Sequence, residues 1–317
     1  MLFPPFFSKK SNEYYKLTSE CQLTSKEEVV PVVNGIPRFV QDGSYASSFG
    51  DQWKEFKKTQ FDSFTKTSIT LDRLNRCLGP LQDKLVDKLV LETGCGAGRF
   101  TEILLKKGAI LVSSDISSAA EVNNENFPSG EKHLVIQADI NRMPFKDESF
   151  DVVICLGVIQ HTPDPEQTIE NLYKLVRKGG YLVIDHYTFS KSWLLRSAAI
   201  YRWFLKRKKP SRTIPYTRKL VRRYLPLHKK FRHMKLASVL LNRISPVVSY
   251  YDAFPQLNEE HQVQWALLDT HDSLTDWYKH FRGKKSIYNT LKRLGADEIY
   301  VENGGNGVEA RCSKPAA

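Results

Sequence analysis

The sequence predicts an α/β protein with a doubly wound parallel sheet. Two observations lead there: between residues 81 and 187 short runs rich in Val, Ile and Leu alternate with amphipathic stretches, and a glycine-rich segment, ETGCGAGRF, directly follows the first run. Strands that are apolar throughout and alternate with helices imply a sheet covered on both faces. Right-handed connections then leave a doubly wound topology.

The elements follow in order. LVDKLVLET predicts a strand, FTEILLKKG a helix ending at Gly108, and AILVSSD and HLVIQAD the next two strands. FDVVICLGVI supplies a fourth strand, PEQTIENLYKLVRKGG a helix closed by Gly179 and Gly180, and YLVIDHY a fifth. There is no internal repeat and no long low-complexity tract.

The glycine segment asks what it approaches. A dinucleotide fingerprint, G-x-G-x-x-G, counted from Gly94 requires glycine at 99, where Arg99 stands. The pattern present is Glu92, Gly94, Gly96 and Gly98, an acid followed by G-x-G-x-G. Glycines lack Cβ atoms, so a ligand can lie against the main chain, and the acid suits a cationic amine better than a pyrophosphate. A tight strand-to-helix turn without a ligand is the plain alternative. Asp115 closes the second strand, where a carboxylate accepts from both ribose hydroxyls, and Asp139 with Ile140 follows the third, placed for an adenine. Leu156 and Gly157 end the fourth. All of these fall on the carboxyl edge of the sheet, where ligands of open α/β sheets bind.

The run from ETGCGAGRF through SSDIS and QADINRMPF to FDVVICLGVIQHTPDP resembles the class I S-adenosylmethionine-dependent methyltransferases over about a third of the chain. The resemblance implies S-adenosylmethionine as cofactor. Glu92, Gly94, Gly96 and Gly98 would hold its methionine end and ribose, with Thr93, Cys95 and Arg99 in the same turn. Asp115 with Ile116 would take the ribose hydroxyls, Asp139 with Ile140 the adenine, and Leu156 and Gly157 would lie under the cofactor. It also implies that GADEIYVENGGNGVEARCSK forms an antiparallel C-terminal hairpin. The expected fold is then a Rossmann-like seven-stranded sheet with an N-terminal extension and a helical insertion.

Methyl transfer from a sulfonium depends mainly on alignment and exclusion of water, with a base if the acceptor is a hydroxyl. His161, in IQHTPDP after the fourth strand, is the catalytic candidate; a histidine that merely bonds loop backbone is the other reading. Asp185 and His186 end the fifth strand and face the same crevice. In LLDTHDSLTDWYKHFR, the side chains of Asp269, His271, Asp272, Asp276, Tyr278 and His280 either line a substrate pocket or cap a solvated helix start.

The formal charge of +12 is concentrated. From 188 to 251 there are 17 Lys and Arg and no Asp or Glu, leaving 30 basic against 35 acidic residues elsewhere. In SWLLRSAAIYRWFLKRKK the aromatic and aliphatic residues Trp193, Leu194, Leu195, Ile200, Tyr201, Trp203, Phe204 and Leu205 are interleaved with Arg196, Arg202, Lys206, Arg207, Lys208 and Lys209. Three readings stand: a helical cap, a cap that also meets an anionic membrane or a lipid-linked substrate, and a nucleic-acid surface. LGVIQHT after the fourth strand is not an N-P-P-Y type amide-methylating motif, and no RNA-binding module is present, which disfavours nucleic acid. The acceptor expected is a hydroxyl on a small molecule, a sugar or a lipid-linked glycan.

VVNGIPRFVQDGSYASSFGDQWKEFKKTQFDS is similar to the segment preceding the core in bacterial enzymes of glycan and secondary-metabolite pathways. Many relatives place a zinc ribbon there; here only Cys21 remains, so no metal is expected. Tyr45, Phe49, Gln52 and Trp53 could fold over the cofactor, with packing of Trp53 and Phe56 as the alternative. The expected divisions are 1–44, an extension like a degenerate zinc ribbon; 45–80, a helical lid; 81–187, the first part of the core; 188–265, the insertion; and 266–317, the rest of the core. Five cysteines without a C-x-x-C pair, an N-terminus without signal-peptide features and no long uncharged run suggest a cytoplasmic protein, peripheral at the inner membrane face if the basic segment meets lipid.

Overall fold

The computed structural model describes residues 2–19, 21–26, 28–40, 47–189, 197–206 and 208–316, and for 47–49 the backbone alone. Trp193, Leu194, Leu195, Arg196, Arg207, Tyr45 and the side chain of Phe49 lie outside the described residues.

Seven strands form the central sheet: β1 (Leu89–Thr93), β2 (Ile110–Asp115), β3 (His133–Gln137), β4 (Phe150–Cys155), β5 (Val176–His186), β6 (Asp297–Gly304) and β7 (Gly307–Ser313). Their spatial order is β3-β2-β1-β4-β5-β7-β6. The first five run parallel, and the hairpin β6–β7 adds antiparallel to β5, with His186 opposite Val308.

The strand residues alternate between two cores. Leu91, Val112 and Val153 face one side with Ile169 and Leu172 of helix Pro165–Leu175 and Ile287 and Leu291 of helix Lys284–Arg293. Val90, Leu111 and Ile154 face the other with Leu74 and Leu78 of helix Ile69–Leu78 and Ile103 and Leu104 of helix Thr101–Lys106. A period of two with both faces apolar is what a doubly covered sheet requires. Because β1 pairs with both β2 and β4, the strand order reverses beside it, and a crevice opens at the carboxyl ends of β1 and β4.

One boundary differs from the sequence expectation. The helix that starts at Pro165, with the Asp164 carboxylate accepting from the Glu166 and Gln167 amides, ends at Leu175 rather than at Gly179 and Gly180. The chain enters β5 at once; Val176 pairs with Phe150 and Tyr181 with Val152, so residues 177–180 bulge out of register. A Cβ at Gly180 would lie 2.6 Å from Asp151 O, so the glycine serves the bulge and not a helix cap.

Residues between β5 and β6 build a cap. Helices Ala198–Leu205, Pro210–Phe231, Lys235–Ile244 and Glu259–Thr275 enclose a separate core of Leu205, Leu220, Val221, Leu225, Val247 and Leu274. The last of these helices runs across the 265/266 division expected from the sequence. The extension forms a small antiparallel sheet from Lys16–Ser19, Gln22–Thr24, Val29–Val33 and Ile36–Pro37. It fastens to the edge of β3 where Phe39 N donates to Gln137 O at 2.8 Å, while Phe6 packs against Phe39 and Phe145. Among the described residues no cluster of three metal-ligating side chains occurs, and no helix is long and apolar enough to cross a membrane.

Leu91 is fully buried in the central strand, so Leu91→Ala should lower the unfolding free energy by roughly 2–5 kcal/mol. Val86→Ala, at an exposed position, should stay within about 0.5 kcal/mol. Urea denaturation of the two variants checks the contrast.

Candidate active site

The crevice opens into a cavity of about 950 Å³ bounded by the carboxyl edge of the sheet, the helix at 47–55 and the cap. The turn after β1 is built by glycines in the left-handed region, with φ of +70° at Gly94, +54° at Gly96 and +108° at Gly98. A Cβ at Gly94 would run into Val158, and one at Gly96 would lie 2.8 Å from the ring of Trp53, so both positions demand glycine twice over.

Of the expected cofactor positions, Gly94, Cys95 and Arg99 of the turn line the cavity, as do Asp115 with Ile116, Ile140, and Leu156 with Gly157. Asp115 Oδ2 accepts from Gly96 N at 3.0 Å, and Oδ1 from Ser117 N and Oγ at 2.9 and 2.7 Å. Burial raises its pKa against these hydrogen bonds. The other expected positions lie elsewhere. Gly96 is covered by Trp53 and Gly98 faces Phe127. Thr93 Oγ1 donates to Ile154 O at 3.3 Å, and Asp139 caps the turn at Ile140–Arg142 by accepting from Asn141 N. Ala138 and Met143, which sequence reasoning missed, stand on the wall beside Ile140 in place of Asp139.

Glu92 is buried behind the turn, not on the cavity wall. Its Oε2 accepts from Thr101 Oγ1 at 2.6 Å and Ser113 Oγ at 2.9 Å, tying the end of β1 to the next helix and strand. Oε1 is buried without a hydrogen-bond partner, and burial pushes the pKa up to about 7. From behind the glycine turn the carboxylate would act on a cationic ligand group through its charge and not by contact. Arg99 has a complementary position: its guanidinium lies over the rings of Phe100 and Trp265, at 5.3 and 5.2 Å, and Nε donates to Thr70 Oγ1 at 3.1 Å. Burial, followed by repulsion from Arg73, lowers its pKa to about 10, so an arriving anion would be favoured. These residues fit S-adenosylmethionine, which carries ammonium, sulfonium and carboxylate groups on one end and ribose and adenine on the other.

The candidate bases separate by geometry. Asp185 Oδ1 accepts from Gly157 N at 2.6 Å, and Oδ2 from Arg73 and from Asn306 Nδ2 at 3.2 Å. It holds Arg73, the turn and Asn306 together. His186 is off the wall; Nδ1 donates to Tyr187 O at 2.9 Å and burial lowers its pKa to about 4. His161 is on the wall. Its Nδ1 is 3.1 Å from Tyr278 O and 3.3 Å from Asp276 Oδ2, and Nε2 is 4.0 Å from Asp272 Oδ2. Burial pulls its pKa down, but Asp272 and then Asp276 outweigh it, so the pKa is raised.

The polar run at 267–282 is the carboxyl half of helix Glu259–Thr275 and the loop after it, not a solvated helix start. Asp269 and Asp272 stand on the wall; burial raises both, Asp272 to about 6. Asp276 is fully buried and accepts from Arg202 Nε at 2.7 Å, with Lys279 Nζ at 3.4 Å. His271 bridges the cap and the helix at 47–55: Nδ1 donates to Gln52 Oε1 at 2.6 Å and Nε2 accepts from Thr213 Oγ1 at 2.9 Å, which fits the neutral ring that burial enforces with a pKa of about 4. Tyr278 contributes its carbonyl, and His280 stacks on its ring. Trp265, Tyr250 and Phe254 complete an aromatic wall that nothing in the sequence pattern marked.

Fold and site define a class I S-adenosylmethionine-dependent methyltransferase domain, with S-adenosylmethionine as its cofactor. Residues 91–184 match the family described as "Methyltransferase domain". The chain is similar to the ubiquinone biosynthesis O-methyltransferases of Coxiella burnetii, at 34% identity over 32% of this chain and 44% of the relative, and of Pseudomonas entomophila, at 34% over 30% and 43%. It thus spans under half the length of the curated relatives it matches. A solved structure of magnesium protoporphyrin IX methyltransferase from Synechocystis with bound SAH is similar at 16% identity over 84% of this chain and 94% of that one, with a TM-score of 0.43.

Asp115→Ala should weaken S-adenosylmethionine binding by roughly ten- to a hundredfold, the loss of about 1.5–3 kcal/mol expected for bonds to a charged acceptor. Calorimetric titration with circular dichroism as the folding control measures it, and an unchanged dissociation constant would remove Asp115 from the site.

Proposed function

We propose that the protein methylates a hydroxyl of a small-molecule acceptor and that His161 is the general base. One observation carries the reading: His161 stands on the cavity wall with its two ring nitrogens differently engaged. Two acceptors, Tyr278 O and the Asp276 carboxylate, face Nδ1 and favour the proton there, the tautomer in which Nε2 is the basic nitrogen. Asp272 then stabilises the imidazolium that proton uptake produces.

S-adenosylmethionine, when bound, supplies an electrophilic methyl group. Asp115 would hold the ribose hydroxyls, Ile140 with Ala138 and Met143 the adenine, Arg99 the carboxylate, and the charge of Glu92 the cationic end. The cap supplies the acceptor side. There the aromatic faces of Trp265, Tyr250 and Phe254 adjoin the carboxylates of Asp269 and Asp272, a combination that suits a sugar, with stacking on its C–H face and bonds from its hydroxyls. The name shared by the relatives above specifies oxygen as their methylated atom, which accords with a hydroxyl here. A sugar of a lipid-linked glycan is the acceptor we favour.

His161→Gln should reduce kcat by about 10²–10⁴-fold while leaving S-adenosylhomocysteine affinity unchanged, measured by product formation over a panel of free and lipid-linked sugars. Retention of activity within twofold would overturn the assignment. A base works unprotonated, so a raised His161 pKa makes activity increase with pH through a midpoint above the ordinary histidine value of about 6.5. Asp272→Asn removes a carboxylate that raises it, and the midpoint of the pH–rate profile should move down.

A further inference from the structure

We infer that the cap docks on an anionic membrane through two adjacent helix faces, and that this face brings the cavity mouth to the lipid surface. Helix Ala198–Leu205 turns Ala198, Tyr201 and Leu205 toward the cap core and leaves Ile200, Trp203 and Phe204 exposed, Trp203 at 76%. Helix Lys235–Ile244 buries Leu241 and exposes Leu236, at 88%, with Val239, Leu240 and Ile244. The second set falls at spacings of three, four and eight residues, one stripe of the helix. The two helices touch end to end, since Ser197 N donates to Arg243 O at 2.7 Å and Ser197 Oγ to Ile244 O at 2.8 Å. Together the two joined helices present two aromatic and five aliphatic side chains to solvent, more than scattered surface residues account for.

Charge decides the occupant. The helices lie within the segment from 188 to 251 that has 17 basic residues and no acidic one, with Lys208, Lys209 and Arg212 after the first helix and Arg232, Lys235 and Arg243 on or before the second. A protein partner would meet these like charges only with a matching acidic surface, whereas anionic lipid offers negative charge across its whole surface. Apolar side chains enter the headgroup region while the long cationic ones stay at the phosphates.

The same helices line the cavity. Ala199 and Asn242 are exposed and also stand on its wall, beside Ile200 and Arg243 of the docking face. The mouth thus opens next to the lipid-facing stripe, and an acceptor with an apolar anchor reaches it without leaving the bilayer. That supply of acceptor rests on the methyl-transfer reading; the docking does not.

The test is co-sedimentation of the full chain with vesicles of phosphatidylcholine alone and of phosphatidylcholine with 30% phosphatidylglycerol. We expect pelleting with the anionic vesicles that falls as salt rises, and at least a tenfold loss of partitioning in Trp203→Ser/Leu236→Ser/Leu240→Ser. These positions are exposed, so the variant should keep its circular dichroism and its affinity for S-adenosylmethionine. Quenching of Trp fluorescence by brominated acyl chains should fall in Trp203→Phe relative to wild type. Wild-type protein that stays in the supernatant, a triple variant that pellets unchanged, or a dimer in sedimentation equilibrium that the triple variant dissolves would each overturn the inference. Loss of cofactor binding by the wild type would instead sink the methyl-transfer reading and leave the vesicle result standing.

Discussion

Asp276 has a fully buried carboxylate with three nitrogen-bearing neighbours, each from a different part of the molecule: Arg202 from the first cap helix, His161 from the turn after β4 and Lys279 from the loop returning to the sheet. Burying one charge costs several kcal/mol, and only such a set of partners offsets it. The arrangement makes cap and sheet interdependent. Arg202 binds the Asp276 carbonyl as well, so the helix that carries the exposed aromatic residues is clamped to the loop that positions the histidine. A parallel clamp acts on the other side of the cavity, where Asp185 joins Arg73, the Gly157 amide and Asn306 of the β6–β7 turn.

The sheet was legible because each of its parallel strands is a local pattern. Val, Ile and Leu runs of five or six residues bounded by Gly, Asp or Pro leave few alternatives for the parallel strands, while the hairpin around Gly304–Gly307 came from the family resemblance. The glycine turn, Asp115, Ile140 and Leu156 were legible for the same reason, since strand ends fix where they stand. The helix end at Leu175 was not: Gly179 and Gly180 read as a cap until the pairing of β5 with β4 shows that they form a bulge. Asp139 read only as a strand end, and its local role, in which Oδ1 caps the turn that Ile140 begins, became visible with the geometry.

The acceptor side of the cavity was legible only in part. Trp265, Tyr250 and Phe254 look like ordinary core residues in sequence, and their convergence on Arg99 depends on packing between elements some 150 residues apart. The carboxylates of 267–282 were visible as a dense run, yet their division into wall residues, Asp269 and Asp272, and a clamp, Asp276, follows from the angle at which helix Glu259–Thr275 meets the sheet. Local patterns report periodicity; they do not report which face of a cap helix looks inward.

The cap is threaded between His186 and Asp297, so β7 can pair with β5 only after the entire insertion has been spanned. Closure entropy grows slowly with length, by about 0.6 kcal/mol for each doubling of a flexible loop, and a segment that folds on its own core closes the gap more cheaply still. A sheet organised this way tolerates exchange of what lies in that gap: the half that holds the cofactor can be inherited unchanged while the half that selects the acceptor is replaced, lengthened or recharged, and new specificity arises by substitution of a module rather than by redesign of a centre.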